Sequence, residues 1–231
     1  MTPPDMDPNA APFNPLPPVV IALVAVIAGI ELLFTLGARG LIGGPEAVGW
    51  RLAAVQDWAF ADVIFEWMRA NNRWPVEQLA RFVTYPLIHA SFTHALFVVV
   101  FILAMGKMVG EAFGGLAFLA IFFLSAVAGA LGYGLLLTED YPLVGGYPGV
   151  YGLIGGFTYL MWTSLDAVGQ NRLRAFSLIG MLLGIQLVFG LLFGSTNEWV
   201  ADLTGFVTGF ALSFVVSPGG WQRVLARLRQ R

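Results

Sequence analysis

Five polar side chains interrupt the long apolar runs of this sequence: Glu31, His89, His94, Tyr147 and Asp202. Carboxylates, imidazoles and phenols can each take up or give a proton, so these residues are the first candidates for chemistry. An ionisable group at the centre of a membrane helix costs about 2.5–3.5 kcal/mol on insertion scales, so each needs a partner or a role. The two histidines are five residues apart, whereas paired helical metal ligands stand at i and i+4. No metal site is predicted.

The composition places the chain in a membrane. Of its 231 residues, 58% are hydrophobic and 11% are charged, with a mean hydropathy of +0.77. Soluble domains carry about 25% charged residues. Cysteine is absent, which excludes disulfides and thiol nucleophiles, and a net charge of −2 gives no case for a nucleic-acid partner. The glycines lie in no strand–turn–helix context, so no cofactor is predicted.

Six apolar runs are long enough to cross a bilayer, which takes about 20 residues. They cover residues 19–36, 86–108, 116–137, 144–162, 176–193 and 199–216. Small residues four apart, such as Gly205 and Gly209, favour close helix packing. The sequence therefore predicts an all-α integral membrane protein whose six-helix bundle spans residues 19–216.

Three segments flank or interrupt this bundle. Residues 1–18 hold seven prolines and no basic residue, which predicts a disordered tail rather than a secretory signal. Residues 37–85 mix tryptophans with charges, which favours extracytoplasmic amphipathic helices at the membrane interface over a small soluble hairpin. Residues 217–231 form a basic tail, either lying on anionic lipid or simply solvated. The distribution of basic residues predicts that both termini are cytoplasmic.

With this topology, all five polar residues fall in the outer half of the membrane. His89, His94, Tyr147 and Asp202 stand early in spans that begin outside, and Glu31 stands near the outer end of the first span. Their convergence predicts a wet cavity open to the outside. We expect Glu31 to pair with an arginine of the long connection and His89 to bond a loop carbonyl. A contact between His94 and Asp202 across the cavity is a further hypothesis.

Three stretches hold the most distinctive motifs of the chain: RFVTYPLIHASFTH at 81–94 with GKMVGE at 106–111, GGYPGVYGLIGG at 145–156, and ADLTGFVTG at 201–209. Together they resemble the rhomboid family of intramembrane serine proteases. The resemblance covers residues 81–216 and extends to the span count and the long first loop. It implies the family's fold and, as its activity, peptide-bond hydrolysis within the membrane by a serine–histidine dyad, with second-span donors at the oxyanion.

The chain departs from that family at the catalytic positions. The serine of G-x-S-G is replaced by Tyr147 in the register that fits the downstream glycines, or by Pro148 in the alternative register. The last-span histidine is Asp202 and the second-span asparagine is Val98, whereas His94 is retained. A phenol is poorly suited to carrying an acyl group, and proline removes a backbone N–H. We therefore predict a rhomboid pseudoprotease, not an enzyme.

The resemblance also implies a role. Inactive members of the family, such as inactive rhomboids and derlins, generally bind transmembrane segments of other proteins and affect their stability, folding or trafficking. We expect a non-catalytic binder of membrane proteins or their transmembrane segments, with His89, His94, Tyr147 and Asp202 as the cavity residues. Two alternatives stay open: a constitutive accessory subunit of a larger inner-membrane complex, and a divergent hydrolase using Asp202 with Tyr147 or water. The expected location is a bacterial inner membrane.

Overall fold

The computed structural model describes residues 16–193 and 197–218, and every regular element in this part of the chain is helical. The α-helices are α1 (Pro18–Ala38), α2 (Trp50–Trp58), α3 (Asp62–Asn71), α4 (Val76–Thr84), α5 (Phe92–Phe113), α6 (Gly115–Leu136), α7 (Tyr147–Ala167), α8 (Ser177–Phe193) and α9 (Trp199–Val216). Short 3-10 turns cover Pro45–Gly49, Tyr85–Leu87 and Arg172–Phe176. The predicted all-α class is confirmed. Both predicted tails lie largely outside the described residues.

Each of the six apolar runs coincides with a helix, but only four of these helices, as far as the structure describes them, combine the length and the hydropathy of a membrane span. Among the described residues, α1, α5, α6 and α9 are long and apolar enough to cross a membrane. Helix α8 has 17 residues, and α7 is interrupted by glycines and tyrosines. Because most of α7 is buried among other helices, it needs little apolar surface toward lipid. The count of six spans stays a prediction.

The second run starts later than predicted. We expected a span over 86–108, whereas α5 begins at Phe92 and ends at Phe113. Pro86 lies in the 3-10 turn, and the Ser91 side chain caps α5 by accepting a hydrogen bond from the His94 N–H at 3.2 Å. His89 therefore lies in the entry segment before the helix and not within it, as the predicted span had implied.

Helix α7 forms the centre of the bundle, packed between α5, α6 and α9. Its contact with α9 is close because both helices present glycines. A Cβ on Gly209 would overlap the backbone of Gly152, and one on Gly205 would overlap the backbone of Pro148. The predicted packing role of these small residues is confirmed. The packing brings the first residues of α7 next to the first turns of α9.

The long connection folds onto the outer part of the bundle. Helices α3 and α4 pack on α6 through a buried cluster that includes Phe60, Phe65, Phe82, Tyr85 and Tyr133. Arg81 lies inside this region and donates to the carbonyls of Gln56 and Ala59, each at 2.9 Å. These contacts fix the connection as a part of the bundle surface. Its position at the membrane interface stays a prediction, which the exposed tryptophans suit.

Candidate functional site

Three of the predicted cavity residues form one stack of rings where α5 and α7 begin. The His94 and Tyr147 rings lie 5.1 Å apart between centroids with their planes 18° apart. The His89 ring meets the His94 ring edge-on, again at 5.1 Å. The ring contacts bring these three residues together, whereas the wet cavity open to the outside stays a prediction.

Glycines shape the wall of this stack. Gly145 has φ +91°, a region that favours glycine, and a Cβ there would overlap the His94 ring. Its N–H donates to the Tyr85 carbonyl at 3.0 Å, and the Gly146 N–H donates to His89 Nε2 at 3.4 Å. Gly145 and Gly146, which precede α7, thus bind the Tyr85 backbone and the His89 imidazole of the segment before α5. A side chain at Gly145 would also overlap the His94 ring, so this glycine is needed for more than helix packing.

A partly buried ion pair contacts the same entry segment. Arg51 in α2 donates to both carboxylate oxygens of Glu31, at 2.8 and 2.5 Å, and to the His89 carbonyl at 2.6 Å. Thr35 adds a hydrogen bond to Glu31 at 3.0 Å. Because Glu31 is only 4% exposed, this bidentate pairing satisfies a carboxylate that water barely reaches. The expectation that Glu31 pairs with an arginine of the long connection is confirmed.

His89 favours its neutral form. Burial, with a smaller effect from the neighbouring His94, lowers the pKa of His89 to about 4, although Glu31 and a hydrogen bond to the Leu87 backbone act in the opposite direction. A neutral ring can accept from Gly146 at Nε2 while it bonds the backbone through its other nitrogen. The expectation of a histidine satisfied by the loop backbone is confirmed.

Asp202 has a partner that the sequence did not suggest. It lies 4% exposed on α9, and its Oδ2 accepts a hydrogen bond from Gln186 Nε2 on α8 at 2.9 Å. No hydrogen bond joins Asp202 to His94 within the described residues, and His94 Nε2 is buried without a partner. The hypothesised contact between them is therefore wrong. Asp202 bonds Gln186 of α8 instead, and the His94 ring lies against the Tyr147 ring. Gln186 was detectable as the one polar residue in 178–193.

The two candidates for the nucleophile position face different surroundings. Tyr147 is partly buried and directs its ring at His94. Pro148 is buried against Gly129 of α6 and Gly205 of α9, at the second position of α7, where its missing N–H costs no helical hydrogen bond. Val98 packs beside Gly146. Tyr147 is thus the side chain that contacts His94, and Pro148 is part of the wall.

The polar groups gathered here are a phenol, two imidazoles, the carboxylates of Glu31 and Asp202 and the Arg51 guanidinium. Among the described residues, no three histidines or acidic residues come together as a metal site. The His94 and Tyr147 rings are stacked with their planes 18° apart. The site therefore presents ring surfaces and hydrogen-bonding atoms.

The fold and site define an all-helical, multi-pass membrane protein with a polar cluster enclosed by glycine-rich helix starts. A family model for the Rhomboid domain matches residues 76–219, from α4 through α9. The chain belongs to the rhomboid family.

Two relatives extend this finding. "Putative rhomboid protease YdcA" of Bacillus subtilis (strain 168) is 28% identical over 212 residues, which are 90% of this chain and 92% of that protein. "Rhomboid-like protease 3" of Toxoplasma gondii is 33% identical over 138 residues, which are 58% of this chain and 51% of that protein. Both relatives are named as proteases.

Proposed function

We propose that this chain is a non-catalytic rhomboid that binds partner membrane proteins, or their transmembrane segments, and acts in their stabilisation, quality control or assembly. The location we propose is a bacterial inner membrane with both termini cytoplasmic. The observation that carries the proposal is the stacking of Tyr147 on His94 at 5.1 Å, with no serine at either candidate nucleophile position.

The geometry argues against acyl transfer in three ways. A nucleophile needs a base that can take its proton, but the carboxylates of Asp202 and Glu31 are bonded to Gln186 and Arg51. The His94 ring stacks on the Tyr147 ring. Pro148 has no N–H to donate to an oxyanion next to the nucleophile position.

Two features of the structure support binding of a transmembrane segment: the unpartnered His94 Nε2 and the exposed apolar face of α8. His94 Nε2 is a buried acceptor or donor without a partner, so a bound segment with a free backbone group would satisfy it. Beside the cluster, α8 exposes large apolar side chains, including Met181 at 56% and Leu187 at 65%. A hydrophobic helix with one polar or unwound turn matches this combination of an apolar face and a buried polar site.

Affinity purification from native membranes followed by quantitative mass spectrometry tests the proposal. We expect several membrane proteins at substoichiometric levels, reduced several-fold by His94→Ala. The matched control is Leu116→Ala, at an 86% exposed residue at the other end of the bundle, which should change nothing. A single complex at constant ratio would instead indicate an accessory subunit and would contradict client binding.

A cleavage assay separates binding from hydrolysis. Purified protein reconstituted with a transmembrane reporter should release no fragment. Cleavage that disappears in Asp202→Asn would overturn the proposal and establish a divergent hydrolase, as the names of the two relatives would suggest.

A further inference from the structure

We propose that the groove between the long connection and α6 binds one acyl chain of a phospholipid, whose phosphate contacts Arg69. The groove has a volume of about 600 Å³ and lies between α3, α4 and α6. Its lining includes Phe65 and Arg69 of α3, Leu79 and Val83 of α4, and Leu131 and Leu135 of α6. This site lies apart from the ring stack and does not depend on the proposed function.

The position of the groove decides what fills it. Its floor is α6, one of the helices that are long and apolar enough to cross a membrane. The lining residues Val127, Leu131 and Leu135 stand four apart and so follow one face over about 12 Å of helix. A helix that crosses a membrane meets lipid as its solvent, and side chains of the groove are exposed: Leu135 is 55% and Val83 is 43% exposed. A hydrocarbon chain is the molecule that such a surface meets.

Charge identifies the other end of the ligand. Arg69 is the only charged residue that lines the groove, and its guanidinium lies over the Phe65 ring, 5.7 Å from the centroid. Within the described residues Arg69 forms no ion pair, so its donors are available. A guanidinium held beside an apolar groove matches a phosphate joined to an acyl chain. The exposed Trp74 lines the same groove and suits headgroup level.

A lipid bound here would hold the long connection on the bundle. The groove joins α3 and α4 to α6, and α4 runs directly into the 3-10 turn whose Tyr85 carbonyl accepts from Gly145. Because a ligand that binds only the folded protein stabilises it, the phospholipid should raise the melting temperature of the whole bundle. A lipid with the same acyl chains but no phosphate should raise the melting temperature less.

The test compares two lipids with the same chains on delipidated protein in detergent: dioleoyl phosphatidylglycerol and diolein. Phosphatidylglycerol should raise the melting temperature more than diolein and bind about tenfold more tightly, because a charge-assisted contact is added. Arg69→Gln should reduce phosphatidylglycerol to the effect of diolein. Arg73→Gln, at an exposed arginine outside the groove lining, should behave as the unmodified protein.

A second pair of variants tests the groove itself. Leu131→Trp should fill the groove and abolish stabilisation by both lipids, whereas Leu124→Trp, at an exposed leucine of the same helix outside the lining, should leave it intact. Equal effects of the two lipids on the unmodified protein, or an unchanged response in Arg69→Gln, would overturn the proposal. So would a photo-crosslinker at position 131 that captures polypeptide from native membranes in place of lipid.

Discussion

The Tyr147 ring lies flat against the His94 ring, with centroids 5.1 Å apart and planes 18° apart. This contact joins the first residue of α7 to the first turn of α5. The Tyr147 ring therefore covers one face of the His94 imidazole. The stack makes Tyr147 a structural member of the site.

Removing the ring should destabilise the protein, and removing only the hydroxyl should not. Tyr147→Ala is expected to lower the free energy of unfolding by about 2 kcal/mol through lost burial and ring stacking. Tyr147→Phe keeps the ring and should unfold like the unmodified protein. Thermal unfolding in detergent measures both. An equal loss in the two variants would show that the hydroxyl, and not the stack, holds the residue.

Gly145 should be far less tolerant of alanine than another glycine with a similar backbone. Gly145→Ala adds a Cβ at φ +91° and against the His94 ring, whereas Gly40→Ala adds one at φ +68° with no atom within 4 Å. We expect losses of about 3 and about 1 kcal/mol, since the second variant has only the backbone cost.

The double variant Gly145→Ala/His94→Ala checks the cause. It should recover part of the stability lost in Gly145→Ala, because the ring that the new Cβ meets is gone. Denaturation in detergent gives all three values. Equal losses at positions 145 and 40 would mean that His94 does not confine this turn.

The Glu31–Arg51 pair should matter much more than the surface pair of the same kind. Arg51→Ala leaves Glu31 buried without its partner and the His89 carbonyl without its donor, so a loss of about 3 kcal/mol is expected. Arg172→Ala breaks the ion pair with Asp166, whose side chains are 49% and 48% exposed, and should cost about 0–1 kcal/mol. A double-mutant cycle with Glu31→Gln measures the coupling energy between Arg51 and Glu31. Similar losses of unfolding free energy in Arg51→Ala and Arg172→Ala would contradict a larger role for the Glu31–Arg51 pair.

Asp62 should make stability decrease as the pH rises above the acid range. Burial raises the pKa of this carboxyl, against the smaller opposing effect of the hydrogen bond that it accepts from the Glu139 N–H. Because the native pKa exceeds that of the unfolded chain, the folded state binds the proton more tightly. The stabilisation is complete below the unfolded value of about 3.9 and is lost as the pH rises through the native value.

Asp62→Asn mimics the protonated side chain at every pH. It should therefore be more stable than the unmodified protein at pH 7, and the difference should shrink as the pH falls toward 4. Asp140→Asn, at an exposed carboxylate of the nearby loop, serves as the control and should show a smaller change. Melting temperatures across this pH range measure the effect. A difference that grows toward low pH would mean that the Asp62 pKa is not raised.

The order of the helices could be predicted from the sequence, and so could the family, because both depend on residues that are close together in the chain. Apolar runs of about 20 residues predict helices wherever they occur, and the glycine stretch at 145–156 carries its motif in consecutive residues. The start of α5 was misplaced because hydropathy does not distinguish a buried entry segment from a helix. In the structure, the Pro86 turn and the Ser91 cap decide that boundary.

The sequence by itself determined that this is an all-helical member of the rhomboid family. Only the tertiary structure decided how its polar side chains pair. In the structure, Glu31 pairs with Arg51 and not with another arginine of the long connection. Asp202 bonds Gln186, and the Tyr147 ring stacks on the His94 ring. Helix formation depends on neighbours in the chain. Pairing depends on which helix faces meet, and the packing of α7 against α5 and α9 fixes that.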